Sequence, residues 1–587
     1  MASAVNPTAF KISFTGRYKM FASILFLTTL CATFSSAQSF QWAATAGSTG
    51  FDDSYAIVAA DNGQSYTAGS FRNTTDFDPG SGVYNMTSAG SSDIFITKLD
   101  ANGNFIWAKQ VTGPGVDDCF SMSADVQGNL YLTGSFNDSA DFDPGLGTHK
   151  LYSNGMEDIF VLKLDTAGNF IWAQQIGGTG SDIGYAVKID ANGNVYTTGV
   201  FQGTVDFDPG SSILNLVGQS IFENAFILKL DLSGNFLWAK NYSGRCNPRA
   251  LAVDNNGDIY LSGSFTFLVD FDPGPGVDTL SAPYFKNVFV SKVDPAGNHL
   301  WAIQFGSSID DDEGAGLAID GNGNICITGT FRGTVDFDPG TAVQVLTSAF
   351  EDIFIAKYSG TGQYIWAKKI SGTGYDKGNA ILTDAANNIY TTGVFEGTAD
   401  FDPGSGISTL SANFRDAFLS ILDANGNFLA AKRMGAPQFS GTLINTGNAL
   451  SINTSGEIYL TGDFEGTAYF NPPLAGFTSN GLTDIFIAKF NTTGVGMEEN
   501  SSENQWSLYP NPTKESVLLS LQLKEAGSPH IIIHDLAGKA VKTWSDPIVP
   551  SGEYYKQKID LSGLTKGIYT ITLTTTYFTS TKKILVE

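Results

Sequence analysis

A chain of 587 residues exceeds what one ordinary core encloses, and a formal charge of −25 at neutral pH sets it against nucleic acid and anionic lipid as partners. With 66 Gly, 43 Phe and 22 Tyr but only 16% charged residues, the composition suits many short strands joined by tight turns. It disfavours a solenoid or helical array, since no long stretch repeats at helical period. The N-terminus, 1–37, reads as an export leader. Lys11, Arg17 and Lys19 precede the apolar run 21–34, and the small residues 35–37 place a cleavage site between Ala37 and Gln38. No later stretch is long and apolar enough to form a transmembrane segment, so the mature chain is expected to be soluble once exported.

From 38 to 494 one unit of about 65 residues recurs seven times. Six copies carry the string DFDPG, beginning at Asp76, Asp141, Asp206, Asp270, Asp336 and Asp400, and a worn seventh begins at Tyr469. Each unit holds four strand-length runs, as in IFITKLD (94–100), FIWAKQ (105–110), CFSMSAD (119–125) and LYLTGSF (130–136). These runs are apolar on consecutive residues, which fits strands covered on both faces. The first unit lacks its leading run and opens at FQWAAT (40–45), whereas an orphan DIFIAKF (484–490) stands after the seventh. Pairing those two segments would complete every four-stranded sheet and leave no open edge. The predicted fold class is all-β: a seven-bladed beta-propeller closed by its N- and C-terminal strands.

Positions that never change between units say what each one requires. The leading run has Phe at 95, 160, 226, 289, 354, 418 and 486, and the fourth run has Gly-x-Phe throughout. Trp42, Trp107, Trp172, Trp238, Trp301 and Trp366 share one second-run position. They read as packing wedges, because a ligand site seldom needs the same contact in every repeat. The glycine marks a bulge or a close backbone approach. Asp-x-Asn-Gly-Asn, at 100–104 and 190–194, reads as a hairpin turn; its glycine falls too early for a calcium loop and no closing glutamate follows. The acidic run 310–313 reads as a solvated loop. Cys119, Cys246 and Cys326 fall in different units and read as small buried residues, which excludes a disulfide framework.

The DFDPG string is the one element with metal-binding chemistry. If extended, it projects Asp76 with Asp78, Asp141 with Asp143, Asp206 with Asp208, Asp270 with Asp272, Asp336 with Asp338 and Asp400 with Asp402 to one side, and the intervening Phe to the other. Like charges held so close need water, a cation or a basic neighbour. Three readings stay open. Ca2+ would take the carboxylates together with carbonyls of the Pro-Gly turn. A lysine would neutralise them, from Lys98, Lys163, Lys229, Lys292, Lys357 or Lys489 on the leading run. Or Asp-Pro-Gly simply sets a turn.

The pattern Gly-x-Gly-x-Asp followed by IDANGNVYTTG (189–199) resembles the SBBP-type bacterial beta-propeller repeat, a likeness that covers 38–494 and implies fold rather than activity. After a polar linker at 495–505, the tail 506–587 carries WSLYPNP (506–512), HDLAGKAV (534–541), IDLSGLTKGIYTITL (559–573) and TKKILVE (581–587). Alone, these read as strands of a small Ig-like β-sandwich. Pro510, Asn511, Pro512, Gly538, Gly567, Tyr569, Lys582 and Lys583 are similar, in order and spacing, to the type A C-terminal sorting domain of the type IX secretion system of Bacteroidota. That resemblance implies engagement of the type IX secretion machinery after Sec export, passage across the outer membrane, removal of the domain, and release or attachment to the cell surface.

Catalytic signals are missing from the repeats. No nucleophile motif, phosphate loop or zinc spacing occurs, and no catalytic residue is assigned. The expectation is a monomeric secreted or surface-displayed protein that binds an extracellular glycan or protein ligand, as in adhesion. The alternatives are a polysaccharide hydrolase or lyase and a purely structural surface protein.

Overall fold

Strand follows strand through this protein, and no helix interrupts them among the described residues. The computed structural model describes residues 39–219, 222–436, 443–470, 476–491, 506–509, 513, 516–522, 528–535, 539–545, 554–574 and 579–586. The predicted leader with Ala37 and Gln38, the linker 495–505, and Pro510, Asn511, Pro512 and Gly538 lie outside them.

Between 39 and 491 the sheets share one antiparallel plan. Asp53–Ala59, Ser65–Phe71, Asp93–Leu99 and Phe105–Val111 lie side by side in that order. Sheets that start from Asp117–Ala124, Ile183–Ile189 and Ser243–Val253 repeat it, and those that start from Glu313–Ile319 and Lys377–Thr383 are joined into one of eight strands. The join is made where Ser371 pairs with Asp400 and Gly372 with Ala399. Elsewhere the same link is a single bridge, Gly47 to Asp76, Thr112 to Asp141, Gly177 to Asp206 and Gly435 to Tyr469. At these places the backbone at the start of the string stitches its sheet to the chain at the end of the outermost strand of the sheet before it. The last sheet runs Asn445–Ile452, Glu457–Ala468, Phe477–Asn491 and Ser39–Ala46, with Ala46 opposite Ile485 and Phe40 opposite Phe490.

The invariant phenylalanines explain why the units recur. Phe77 of the first DFDPG meets Phe71 of Gly-x-Phe edge-on at 5.3 Å and Phe95 of the leading strand at 5.1 Å, and all three are buried. Phe201, Phe207 and Phe226 repeat the triad, as do Phe395, Phe401 and Phe418. The last unit, which has lost the acids, keeps Phe464, Phe470 and Phe486 in the same contact. A Cβ at Gly69 would run into the Asp53 carbonyl oxygen, so glycine before this triad is a steric requirement.

Two predicted partnerships change. The lysines do not neutralise DFDPG. Lys489 and Trp42 face each other across the last sheet, and both donate to the Ala101 carbonyl in the Asp-x-Asn-Gly turn of the next sheet, at 3.2 and 2.9 Å. Lys163 with Trp172 do the same to Leu232, and Lys357 with Trp366 to Ala424. These side chains are long enough to reach a neighbouring turn, so they tie sheet to sheet. The run 310–313 is not a uniformly solvated loop either, because Asp312 is fully buried and Glu313 is ion-paired.

Buried acids meet at the sheet junctions. Asp117 donates its backbone N–H to the Ser92 carbonyl, which sets it beside Asp93; Asp182 is placed beside Asp158, Asp376 beside Asp352 and Asp52 beside Asp484 in the same way. Asp117, Asp158, Asp376 and Asp484 each keep one buried oxygen without a hydrogen bond. At the equivalent junction between 416 and 445, Asn445 Nδ2 donates to Asp416 Oδ1 at 2.9 Å.

In the tail, Trp506–Tyr509, Ser516–Gln522 and Tyr554–Asp560 form one sheet; Ala540–Ser545, His530–His534, Gly567–Thr574 and Thr579–Val586 form another. Alternating residues of both, such as Leu519, Ile559, Ile533 and Ile571, share one apolar core.

Candidate functional site

Every innermost strand slips register at the same place. The shifts fall between Ser54 and Ala56, Cys119 and Ser121, Gly184 and Ala186, Pro248 and Ala250, Gly314 and Gly316, Gly378 and Ala380, and Gly447 and Ala449. One extra residue per strand is thus left outside the ladder as a β-bulge. The glycine of Gly-x-Phe lies opposite, where its missing side chain admits the bulged backbone. The extra residues are Tyr55, Phe120, Tyr185, Arg249, Ala315, Asn379 and Asn448, and all of them line one hollow of about 620 Å³. In a chain that repeats its core residues so faithfully, this position carries aromatic, cationic, amide and methyl side chains around a common space.

The wall is divided by chemistry. Tyr55 and Phe120 have ring centroids 5.5 Å apart and Phe120 and Tyr185 5.8 Å apart, which makes an aromatic arc. The Arg249 guanidinium lies 4.0 Å above the Tyr185 ring and continues the arc into a cationic stretch of Arg245, Lys286 and Lys377. Glu313 accepts from Lys286 at 2.5 Å and from Lys377 at 3.2 Å. Burial raises its carboxyl, but the Lys377 and Lys286 ammoniums outweigh that and hold it at about 2. Neither Arg245 nor Arg249 has a carboxylate within ion-pair reach among the described residues. Beneath the aromatic arc, burial pushes the carboxyls of Asp53, Asp118 and Asp463 up, and burial first, with the charges of these acids second, raises the Tyr55 phenol.

Two polar atoms of the wall have no partner. Asn247 Nδ2 donates to Glu223 Oε2 at 2.9 Å, while Asn247 Oδ1 and the Thr266 hydroxyl are buried and unsatisfied. Glu223 offers only acceptors there, so the orientation of the Asn247 amide is fixed by that bond.

The predicted aspartates sit elsewhere. Asp76 Oδ1 accepts from the backbone N–H groups of Asp78 at 3.1 Å and Tyr84 at 2.7 Å, and Asp78 Oδ1 accepts from Gly80 at 2.8 Å. Asp141 and Asp143, Asp206 and Asp208, Asp270 and Asp272, Asp336 and Asp338, and Asp400 and Asp402 repeat this arrangement. One oxygen of each carboxylate thus closes the turn, and none of the twelve residues lines the pocket. No cluster of three or more His, Cys, Asp or Glu side chains suited to a metal occurs among the described residues. In the tail, the buried Tyr569 donates its hydroxyl to the Thr565 carbonyl at 2.9 Å. Gly567 pairs with Val586, and Lys582 and Lys583 face Ile571 and Thr570 across the sheet. Burial draws the Lys582 ammonium down to about 8.

The pocket residues are absent from the motifs the sequence offers, because a position that varies between repeats looks like noise. The available signal was the contrast itself: small residues flank a changing one in all seven third runs, as in Gly184-Tyr185-Ala186 and Gly378-Asn379-Ala380.

Comparison with known proteins bears on the two parts of the chain. Residues 507–587 match the secretion system C-terminal sorting domain, and residues 171–200 match a beta-propeller repeat. Over 430 residues the chain is 27% identical to an uncharacterized WD repeat-containing protein of Acanthamoeba polyphaga mimivirus, covering 60% of this chain and 31% of that one. Over 189 residues it is 24% identical to the regulatory protein FlaEY of Caulobacter vibrioides, covering 31% and 19%. The chain therefore spans about a third or less of these curated relatives. Among solved structures, the WD40 domain of Neurospora crassa Pan2 aligns with 63% of this chain and 88% of its own at 10% identity and a TM-score of 0.27. The sorting domain implies export by the type IX secretion machinery, to the outer surface or beyond.

Proposed function

We propose that this chain is a monomeric secreted or surface-attached binding protein that holds an extracellular glycan or protein in the pocket lined by its bulged residues. On this reading 1–37 is the leader, 38–494 a seven-bladed propeller closed by its N-terminal strand, 495–505 a linker and 506–587 an Ig-like sorting domain. The register of Ala46 opposite Ile485 and the Tyr459 hydroxyl bonded to the Gly63 carbonyl at 2.6 Å support closure. One observation carries the binding reading: the bulged position shared by the innermost strands, freed from sheet pairing, changes chemistry from unit to unit while facing one common space. Of the two carboxylates in that space, one speaks against a polysaccharide hydrolase. Glu313, held at about 2, retains no proton to deliver as a general acid at neutral pH.

The test is to apply the exported chain to an array of glycans and extracellular proteins beside a Tyr55→Ala, Phe120→Ala, Tyr185→Ala variant. Binding should appear with the parent and vanish with the variant while the melting transition stays in place. A variant that binds as well as the parent would move the site elsewhere.

A further inference from the structure

We infer that the pocket takes an acidic glycan, an oligosaccharide of uronic acid residues whose ring face lies on the aromatic arc and whose carboxylate is held by Arg249; this rests on the pocket being the binding site. The first ground is charge. Four cations and two carboxylates line the hollow, in a protein whose total charge is −25. Lys286 and Lys377 are consumed by Glu313, whereas Arg245 and Arg249 form no ion pair among the described residues and share the hollow with one further carboxylate, Glu223, which leaves an excess of positive charge. Arg249 holds its guanidinium carbon 4.0 Å over the Tyr185 ring, an attraction that uses no N–H donor and leaves the fork for a carboxylate, which it fits with two parallel bonds.

The second ground is the pair of unsatisfied atoms, which calls for a ligand that carries hydrogen-bond donors beside its carboxylate. Asn247 Oδ1 is a buried acceptor two residues before Arg249, and the Thr266 hydroxyl is buried nearby on the strand paired to it. A buried acceptor without a donor is costly, and a second carboxylate cannot relieve it. A sugar hydroxyl beside the carboxylate does, because it donates. The third ground is shape. The tilted, adjoining rings of Tyr55, Phe120 and Tyr185 offer apolar surface, and the Asn379 and Asn448 amides, whose Nδ2 groups donate to Gly447 and to Ser54 and Asp463, line the same hollow, which suits pyranose rings bearing hydroxyls. About 620 Å³ holds roughly two or three such rings.

The experiment is calorimetric titration of the full exported chain with trimers of galacturonate, glucuronate and mannuronate, with the methyl ester of each trimer, and with hexaglutamate. At least one uronate trimer should bind, its ester at least tenfold more weakly, and hexaglutamate not at all. Arg249→Ala should weaken the acid trimer at least tenfold without changing the ester, and Arg249→Lys should recover part of the loss. An ester that binds as tightly as its acid overturns the anionic ligand while leaving the pocket in place. Preferential binding of hexaglutamate overturns the glycan, as does failure of all three trimers. The pocket itself falls only if the aromatic triple variant keeps the array binding of the parent, a separate readout.

Discussion

Among individual residues, the paired acids make the clearest prediction. Burial, together with the Asp93 charge, pushes Asp117 up to about 8, and burial with the Asp352 charge brings Asp376 to about 7. In the unfolded chain such groups release their protons near pH 4. Between about pH 4 and 8 the folded state therefore binds more protons than the unfolded one, and stability falls as pH rises until each native value is passed. Glu313 has the opposite sign: its contribution is present above its unfolded value and is lost as pH falls towards 2. The junction of Asp416 with Asn445 shows how the conflict is resolved, because an amide N–H stands where a second acid would need a proton. Asp117→Asn should accordingly flatten the decline in stability from pH 5 to pH 8, by on the order of a few kcal/mol at the alkaline end. Denaturant melts at several pH values would read this directly, and an unchanged slope would mean that the acids share no proton. None of this was legible in the sequence, where Asp117 and the exposed Asp311 look alike. Burial separates them, and burial depends on which sheet lies alongside.

At the scale of the element, the DFDPG turn and the bulge differ in how far the sequence reveals them. Alternation along the strand foretells that Phe207 turns inward while Asp206 and Asp208 turn away, and the aromatic triad gives that inward turn its energy. Replacing Phe207 with Ala should cost about 3–5 kcal/mol in a thermal or denaturant melt. Replacing both Asp206 and Asp208 with Asn keeps acceptors for the same backbone N–H groups and should change stability by less than about 1 kcal/mol in the presence of a chelator. The second oxygen of each carboxylate remains for calcium to claim. Titration of the parent at millimolar calcium decides that point, since uptake at up to six sites, reduced by one in the double variant, would add a metal to the turn. The bulge is less legible, because the glycine opposite it announces a close approach without saying which strand approaches.

For the whole molecule, counting strand runs per unit already pairs the first segment with the last, since one unit starts short and one run is left over. The registers then fix Phe40 opposite Phe490. Deleting 39–46 should expose a sheet edge on Phe477–Asn491 and lower both the melting temperature and the steepness of unfolding; an unaltered melt would mean that the ends contribute nothing to cohesion. Deleting 506–587 should leave the remainder folded but retained inside the outer membrane of a host that has the type IX machinery, and its appearance in the medium would contradict the sorting role. The bulged residues carry a wider consequence. Because they stand outside every ladder, exchanging one for another disturbs neither backbone pairing nor the phenylalanine cores. Descendants of this gene can therefore drift at such sites as Ala315 and Phe120 with the ladders intact, testing new pocket chemistries on an unchanged scaffold, so that closely related chains of one fold would come to hold unrelated molecules.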